Sequence, residues 1–308
     1  MTTIGIDASK TELMLGEQTK TCRLRNVPAR LEPWALSLSK DTRVGVEATG
    51  RYHRPVLQAL HDAGICSYLL NPMHVARYIK ALKPKVKTDR TDAILIARYL
   101  EREHDLLVPF KMPSAQIQEL KDLLSFRETL IEKRVALRQS MAEQTFRLSS
   151  QPKLDEGFKQ ALAELETRIK AIAAKQPLYK RLLAIDGVGP LGAAALTWLF
   201  ESHDFVSSDQ AVAFVGLDVS VRQSGIYVGK SKLTKRGPAF VRTFLHNGAN
   251  SLRRVEELQP LFEHHAKKNL PPTAVNNVIS RKLVRIAYAF SKKPEAYFER
   301  KNLLPQLT

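Results

Sequence analysis

Cysteine is scarce in this chain. Its 308 residues include two, Cys22 and Cys66, at no metal-ligand spacing. Two such thiols build neither a disulfide framework nor a zinc knuckle, and they read as reduced thiols of a cytosolic protein. No apolar run is long enough to span a bilayer. No charged start followed by an apolar core directs the chain to secretion, and a strand-like pattern is already under way at Ile4. These shortages set aside the disulfide-stapled, zinc-finger and membrane-spanning classes and lead us to expect a cytoplasmic protein.

Acid is the other shortage, and it is local. Lys and Arg number 48 against 31 Asp and Glu, a formal charge of +17. That excess points to a polyanionic partner, most simply nucleic acid, with an anionic membrane surface as the weaker alternative. From Ala63 to Thr88 there is no acid, but there are Arg77, Lys80, Lys83, Lys85 and Lys87. Between Asp218 and Glu256 there is again none. Eight basic residues stand in that gap: Arg222, Lys230, Lys232, Lys235, Arg236, Arg242, Arg253 and Arg254.

At the edge of the first basic field stands Lys87-Thr88-Asp89-Arg90-Thr91-Asp92-Ala93, followed by an apolar helical stretch. Residues three apart share a helix face, so Asp89 and Asp92 point the same way from the first turn, where the helix dipole favours negative charge. Paired carboxylates beside lysines suit a magnesium ion acting on phosphates. The plainer reading is a capping aspartate with one solvated neighbour.

Upstream, the stretches Thr3–Lys10 and Arg43–Gly50 each read as a short apolar strand ending on an acid, Asp7 and Glu47. Glu12–Leu15 and Thr19–Leu24 read as further strands of a meander. Helices are expected over Leu31–Ser39, with Pro33 tolerated only near its first turn, and over His53–Ala63, stopped by Gly64. A strand over Ile65–Leu70 and helices over Met73–Leu82 and Asp92–Glu103 follow. Three strands and then alternating helix and strand indicate a mixed α/β sheet covered by helices. An acid in or just after an apolar strand is costly to bury without a partner. Two such acids plus the helical pair therefore raise a metal site as a candidate, although only the fold can bring them together.

Here the chain resembles a family. Ile4-Gly5-Ile6-Asp7, Val46-Glu47-Ala48-Thr49-Gly50 and Lys87–Ala93 are similar to the three acidic motifs of the DEDD transposases of insertion sequences, which include the pilin-gene DNA invertases. The resemblance implies an RNase-H-like domain similar to the RuvC resolvase over residues 1–108, with Asp7, Glu47, Asp89 and Asp92 binding Mg²⁺. It also implies a bacterial protein, associated with the nucleoid when it acts. Lys83, Lys85 and Lys87 are candidate nucleic-acid contacts.

Residues 109–177 follow a linker bracketed by Pro109 and Pro113. Ile117, Leu120, Leu124, Ile131 and Val135 fall on one helical face, interrupted by Arg127 and Arg134. Phe158, Leu162, Leu165, Ile169 and Ile172 are spaced as a heptad seam. Such helices pack within one chain or against a second. The family's coiled-coil linker joins protomers, so the resemblance implies a homodimer or homotetramer.

Residues 178–308 read as mostly helical. Leu182–Leu196 runs apolar, Gly187-Val188-Gly189, apolar, as in a helix-hairpin-helix. The glycines would let backbone N–H groups approach a phosphate, or merely mark a tight turn between core helices. Helices are expected over Ser208–Val215, Ala239–Leu252, Leu258–Asn269 and Ala274–Phe290. The stretch from Gly216 to Gly237, without an acid after Asp218, reads as hairpins carrying, with Arg242 beyond it, a phosphate-binding surface of Arg222, Lys230, Lys232, Lys235 and Arg236. Serine needs activation to act as a nucleophile, and on the residues alone Ser220, Ser224 and Ser231 are equal candidates. The family pattern of Ser-Gly, Gly-Lys and Lys-x-Gly before an Arg-bearing helix is matched in order by Ser224-Gly225, Gly229-Lys230, Lys235-Arg236-Gly237 and Arg242. The resemblance therefore assigns the nucleophile to Ser224. Thr234 departs from the serine expected in many relatives.

The resemblance implies the activity of a DNA transposase working through a phosphoserine intermediate, with DNA and an element-encoded guide RNA as partners. The alternatives are a site-specific invertase, a structure-specific Mg²⁺ nuclease that uses only the four acids, and a basic binding protein without chemistry.

Overall fold

A computed structural model describes residues 2–48, 50–82, 88–146, 148–220, 223–224, 227–228, 232–268, 270–299 and 303. The chain divides into two compact units that meet at Met112 and Pro113.

The first unit is built on a mixed five-stranded sheet. β1 (Thr3–Ala8), β2 (Glu12–Glu17) and β3 (Lys20–Arg25) form the meander; α1 (Pro28–Leu36), β4 (Arg43–Glu47), α2 (Arg54–Asp62), β5 (Cys66–Leu70), α3 (Pro72–Leu82) and α4 (Asp89–Glu103) follow. The strand order is β3-β2-β1-β4-β5, antiparallel among the first three and parallel from β1 to β5. Alternation sorts the side chains. Ile4, Ile6, Val44 and Val46 join Leu31, Ala35, Val56 and Leu60 of α1 and α2 in one buried cluster. The opposite face carries glycine instead. Gly5 and Gly16 are cross-strand partners, and a Cβ on either would lie within 2.5 Å of the α4 backbone at Ala93, Ile94 or Ala97. The paired glycines let α4 lie directly on the sheet.

The expected helix at Leu31 begins earlier, at Pro28 in its first turn, and keeps Pro33 inside. Pro33 removes one helical hydrogen bond, but it is exposed, so water can replace the lost donor.

The second unit holds α5 (Ala115–Ala142), α6 (Gln151–Ala173), α7 (Pro177–Leu182), α8 (Pro190–Ser202), α9 (Ser208–Val215), β6 (Val219–Ser220), β7 (Gln223–Ser224), β8 (Tyr227–Val228), β9 (Lys232–Leu233), α10 (Ala239–Ser251), α11 (Gln259–Ala266) and α12 (Pro272–Lys292). α5 and α6 pack on each other within the chain. Arg127 and Arg134, which interrupt the apolar stripe, pair with α6: Arg127 with Glu166 at 2.6 and 2.9 Å, Arg134 with Asp155 at 2.9 and 3.2 Å. Ile117, Leu120, Leu124, Ile169 and Ile172 enter the same core as α8, α10 and α12. The Gly187 turn (φ +82°) lies against α10, where a Cβ on Gly248 would stand 2.0 Å from the Gly187 carbonyl oxygen. The glycine turn before α8 is thus also a close helix contact. Among the described residues no helix is long and apolar enough to cross a membrane.

Candidate active site

The sheet register brings two of the predicted acids together. Ile6 lies opposite Val46 in the parallel β1–β4 pair, so Asp7 and Glu47 are the next neighbours across that ladder, on strands about 4.8 Å apart. Two residues before each acid stands a glycine that faces α4. A Cβ on Gly5 would meet Ala93, and one on Gly45 would lie 3.2 Å from Leu100 Cδ2. Side chains alternate along a strand, so Asp7 and Glu47 share the α4 face. Both are half-buried.

α4 adds the second pair. Ala97, Arg98 and Glu101 of its C-terminal half line a cleft with Thr2, Thr3, Glu17, Gln18 and Thr19, at the edge where β1 begins. Its N-terminus therefore points to the other edge, where β1 and β4 end in Asp7 and Glu47. Thr88 caps it. Thr91 N donates to Thr88 Oγ1 at 3.3 Å, and Thr88 N donates to Thr91 Oγ1 at 2.9 Å. This reciprocal box performs the capping that the plainer reading gave to an aspartate. Asp89 (exposed) and Asp92 (half-buried) then occupy the first turn without capping it, at the positive end of the helix dipole. Asp7 and Glu47 thus lie at the sheet edge toward which the start of α4 is directed. Their oxygens are the donors a hard divalent cation takes. Among the described residues, however, no three His, Cys, Asp or Glu side chains gather closely enough to hold a metal ion.

Asn26 was not singled out from the sequence, where a lone asparagine after a strand carries no signal. Its amide Nδ2 donates to Ser9 O and to Tyr52 O, both at 2.9 Å. It ties the segment after Asp7 to the segment after Glu47.

The second set of candidates lies between α9 and α10. Gly216 (φ +75°) ends α9, and a Cβ there would stand 2.0 Å from Arg236 O; one on Gly237 (φ +85°) would stand 1.9 Å from Phe214 O. The segment thus closes on itself backbone to backbone, where only glycine fits. Lys235 N donates to Gly216 O at 3.1 Å and Thr234 N to Asp218 O at 3.0 Å. Thr234 Oγ1 also donates to the Asp218 carboxylate. β6 pairs with β9, and β7 with β8, placing Ser224 opposite Tyr227 in a short hairpin. Lys232, Lys235 and Arg236 are exposed. Arg242 is half-buried, and its Nη1 donates to Val215 O, Arg236 O and Gly237 O at 2.9, 3.2 and 3.0 Å. Burial holds its pKa below the usual arginine value. One nitrogen of that guanidinium therefore clamps the hairpin base. Lys83, Lys85, Lys87, Arg222 and Lys230 lie outside the described residues.

Comparison with known proteins covers both regions. Residues 4–145 match a family model described as Transposase, of the DEDD IS110 type, and residues 179–263 match one described as Transposase IS116/IS110/IS902 family. The chain is similar to the transposase for insertion sequence element IS1111A of Coxiella burnetii, with 27% identity over 62% of this chain and 60% of that protein. It is similar to the pilin gene-inverting protein of Moraxella bovis, with 24% identity over 83% of this chain and 81% of that one. A probable family 20 transposase of Pseudomonas aeruginosa is 24% identical over 82% of this chain and 85% of its own length.

Proposed function

We propose, from the premise that the chain belongs to the IS116/IS110/IS902 family of transposases, that it cleaves and rejoins DNA through a phosphoserine intermediate. The observation that carries the reading is the acidic edge: Asp7 and Glu47 adjacent in register, with the capped start of α4 directed toward them. In this reading Asp7, Glu47, Asp89 and Asp92 hold Mg²⁺, which polarises phosphate oxygens when bound. Lys232, Lys235 and Arg236, with Lys83, Lys85, Lys87, Arg222 and Lys230, hold the backbone by charge. Ser224 Oγ attacks the phosphorus. The bond from phosphorus to one sugar oxygen breaks, and that oxygen leaves as a hydroxyl, so the ester to serine conserves the bond. The hydroxyl of a second strand then displaces the serine and reseals the DNA without ATP.

The resemblance also supports an element-encoded RNA guide and a homodimer or homotetramer. Val135, Phe146, Leu148 and Leu154 are exposed at the outer end of the α5–α6 hairpin, which supports contact with a second protomer there. The invertase reading shares the chemistry and keeps the similarity to the Moraxella protein in its favour.

The test is to incubate the protein with Mg²⁺, guide RNA and labelled target DNA, denature it, and look for label migrating with protein. The adduct is expected in wild type and absent in Ser224→Ala, with DNA binding retained. Asp92→Asn should abolish cleavage and also spare binding. Free, protein-less ends at equal yield in wild type and Ser224→Ala would refute the serine step and leave a metal-only nuclease.

A further inference from the structure

The cations of α12 are unequally provided for. Arg285 donates through Nε and Nη2 to Asp209 of α9 at 3.1 and 2.8 Å. Lys282 Nζ donates to Leu303 O at 2.7 Å. Arg281, one turn before Arg285, is half-buried, and its Nε is enclosed with no acceptor among the described residues. Its charged neighbours are Arg285 and Asp218. Asp218 already accepts from Thr234 at the base of the Ser224 hairpin. Burial, with Arg285 acting the same way, holds the Arg281 pKa below the usual arginine value, while Asp218 opposes. A guanidinium in this position loses hydration without gaining a full set of partners, which costs the folded chain free energy. Planar N–H forks of this kind match phosphate oxygens.

We propose that Arg281 is a phosphodiester-binding residue, its half-buried guanidinium, with no acceptor for Nε among the described residues, meeting a nucleic-acid phosphate at the base of the Ser224 hairpin. The inference rests on the transposase reading for the presence of nucleic acid, but not on Ser224 being the nucleophile. It gives the hairpin a cation from a different element, one turn along α12 from a pair that is already neutralised. A strand bound there would be held by Arg281 together with the exposed Lys232, Lys235 and Arg236.

The experiment compares wild type, Arg281→Gln and Arg281→Lys for binding to a labelled DNA duplex and to a single-stranded RNA of equal length, across salt concentration. In Arg281→Gln the slope of log K against log salt should fall by about one unit, while Arg281→Lys keeps the slope. A fall with DNA alone assigns the phosphate to the DNA, a fall with RNA alone assigns it to the guide, and a fall with both makes it a shared contact. The melting temperature of unliganded Arg281→Gln should equal or exceed that of wild type, because the substitution removes an unsatisfied charge. An unchanged slope in both arms overturns the proposal, as does a large loss of melting temperature. A second measurement needs no variant: bound oligonucleotide should protect Arg281 of wild type from an arginine-specific dicarbonyl, read by mass spectrometry. Equal modification with and without oligonucleotide also overturns the proposal. Wild type that binds neither nucleic acid would refute the transposase reading itself, which separates that failure from failure of Arg281 alone.

Discussion

Gly5→Ala tests whether the seat of α4 on the sheet sets the acidic site. The added Cβ would lie 2.3 Å from both Ala93 O and Ala97 N, where ordinary contact begins at 3.4 Å. The shortfall is about 1 Å, and it is against backbone, so no side-chain rotation relieves it. Either α4 rises from the sheet or β1 bends away. Overpacking of this kind costs about 1–3 kcal/mol, equivalent to roughly 4–8 °C of melting temperature per kcal/mol in a unit of this size. The same displacement moves Asp89 and Asp92 away from Asp7 and Glu47, and a misplacement of about 1 Å can lower a rate on the order of 100-fold. The assay is Mg²⁺-dependent cleavage of labelled DNA at saturating protein, at a temperature where circular dichroism shows the variant folded. The matched control is Gly157→Ala. Gly157 lies on α6 with nothing within 4 Å of the added Cβ, and the change should stabilise by about 0.5–1 kcal/mol without touching cleavage. Wild-type cleavage in a folded Gly5→Ala would refute the claim that α4 positions the acids. Wild-type melting would refute the close approach itself.

Three further outcomes are expected. Thr88→Ala removes the side-chain acceptor of the capping box and should cost about 0.5–2 kcal/mol, read as a lower melting temperature with weaker cleavage and unchanged DNA affinity. Asn26→Ala removes the two bonds to Ser9 O and Tyr52 O, and should lower cleavage at saturating DNA more than it lowers affinity. His203, among the rings of Trp198, Phe205 and Phe214, has its pKa depressed by burial to about 4. Below pH 6.5 the unfolded chain takes a proton that the folded imidazole refuses, so stability falls as pH drops from 6.5 towards 4. The loss should total about 1–3 kcal/mol, the lower end allowing for residual exposure, and His203→Phe should abolish it in melting curves recorded against pH.

The elements legible in the sequence were those whose signal is local. Short apolar runs leading to an acid mark β1 and β4, and Gly64 marks the stop of the helix before it. Asp89 and Asp92 were placed correctly in a first turn, but the residue that caps that turn was not. A threonine pair competes with aspartate for the same backbone N–H groups, and sequence spacing alone does not say which rotamer wins. The adjacency of Asp7 and Glu47 needed the parallel register, which joins strands nearly forty residues apart through a crossover that leaves no local mark. Gly5 and Gly16 illustrate the same limit. Each alone reads as a residue that weakens a strand; only as cross-strand partners beneath Ala93 and Ala97 do they become the seat of a helix. Arg242 adds a caution about basic clusters. Composition counts it with Lys235 and Arg236 as a phosphate contact, yet one of its nitrogens already serves three carbonyl oxygens at the hairpin base. Arg281 is left with an enclosed donor and no acceptor among the described residues. For a cation the decisive quantity is therefore how many acceptors the folded chain already offers it. That count, more than density of positive charge, separates residues that hold the fold from residues that await a polyanion.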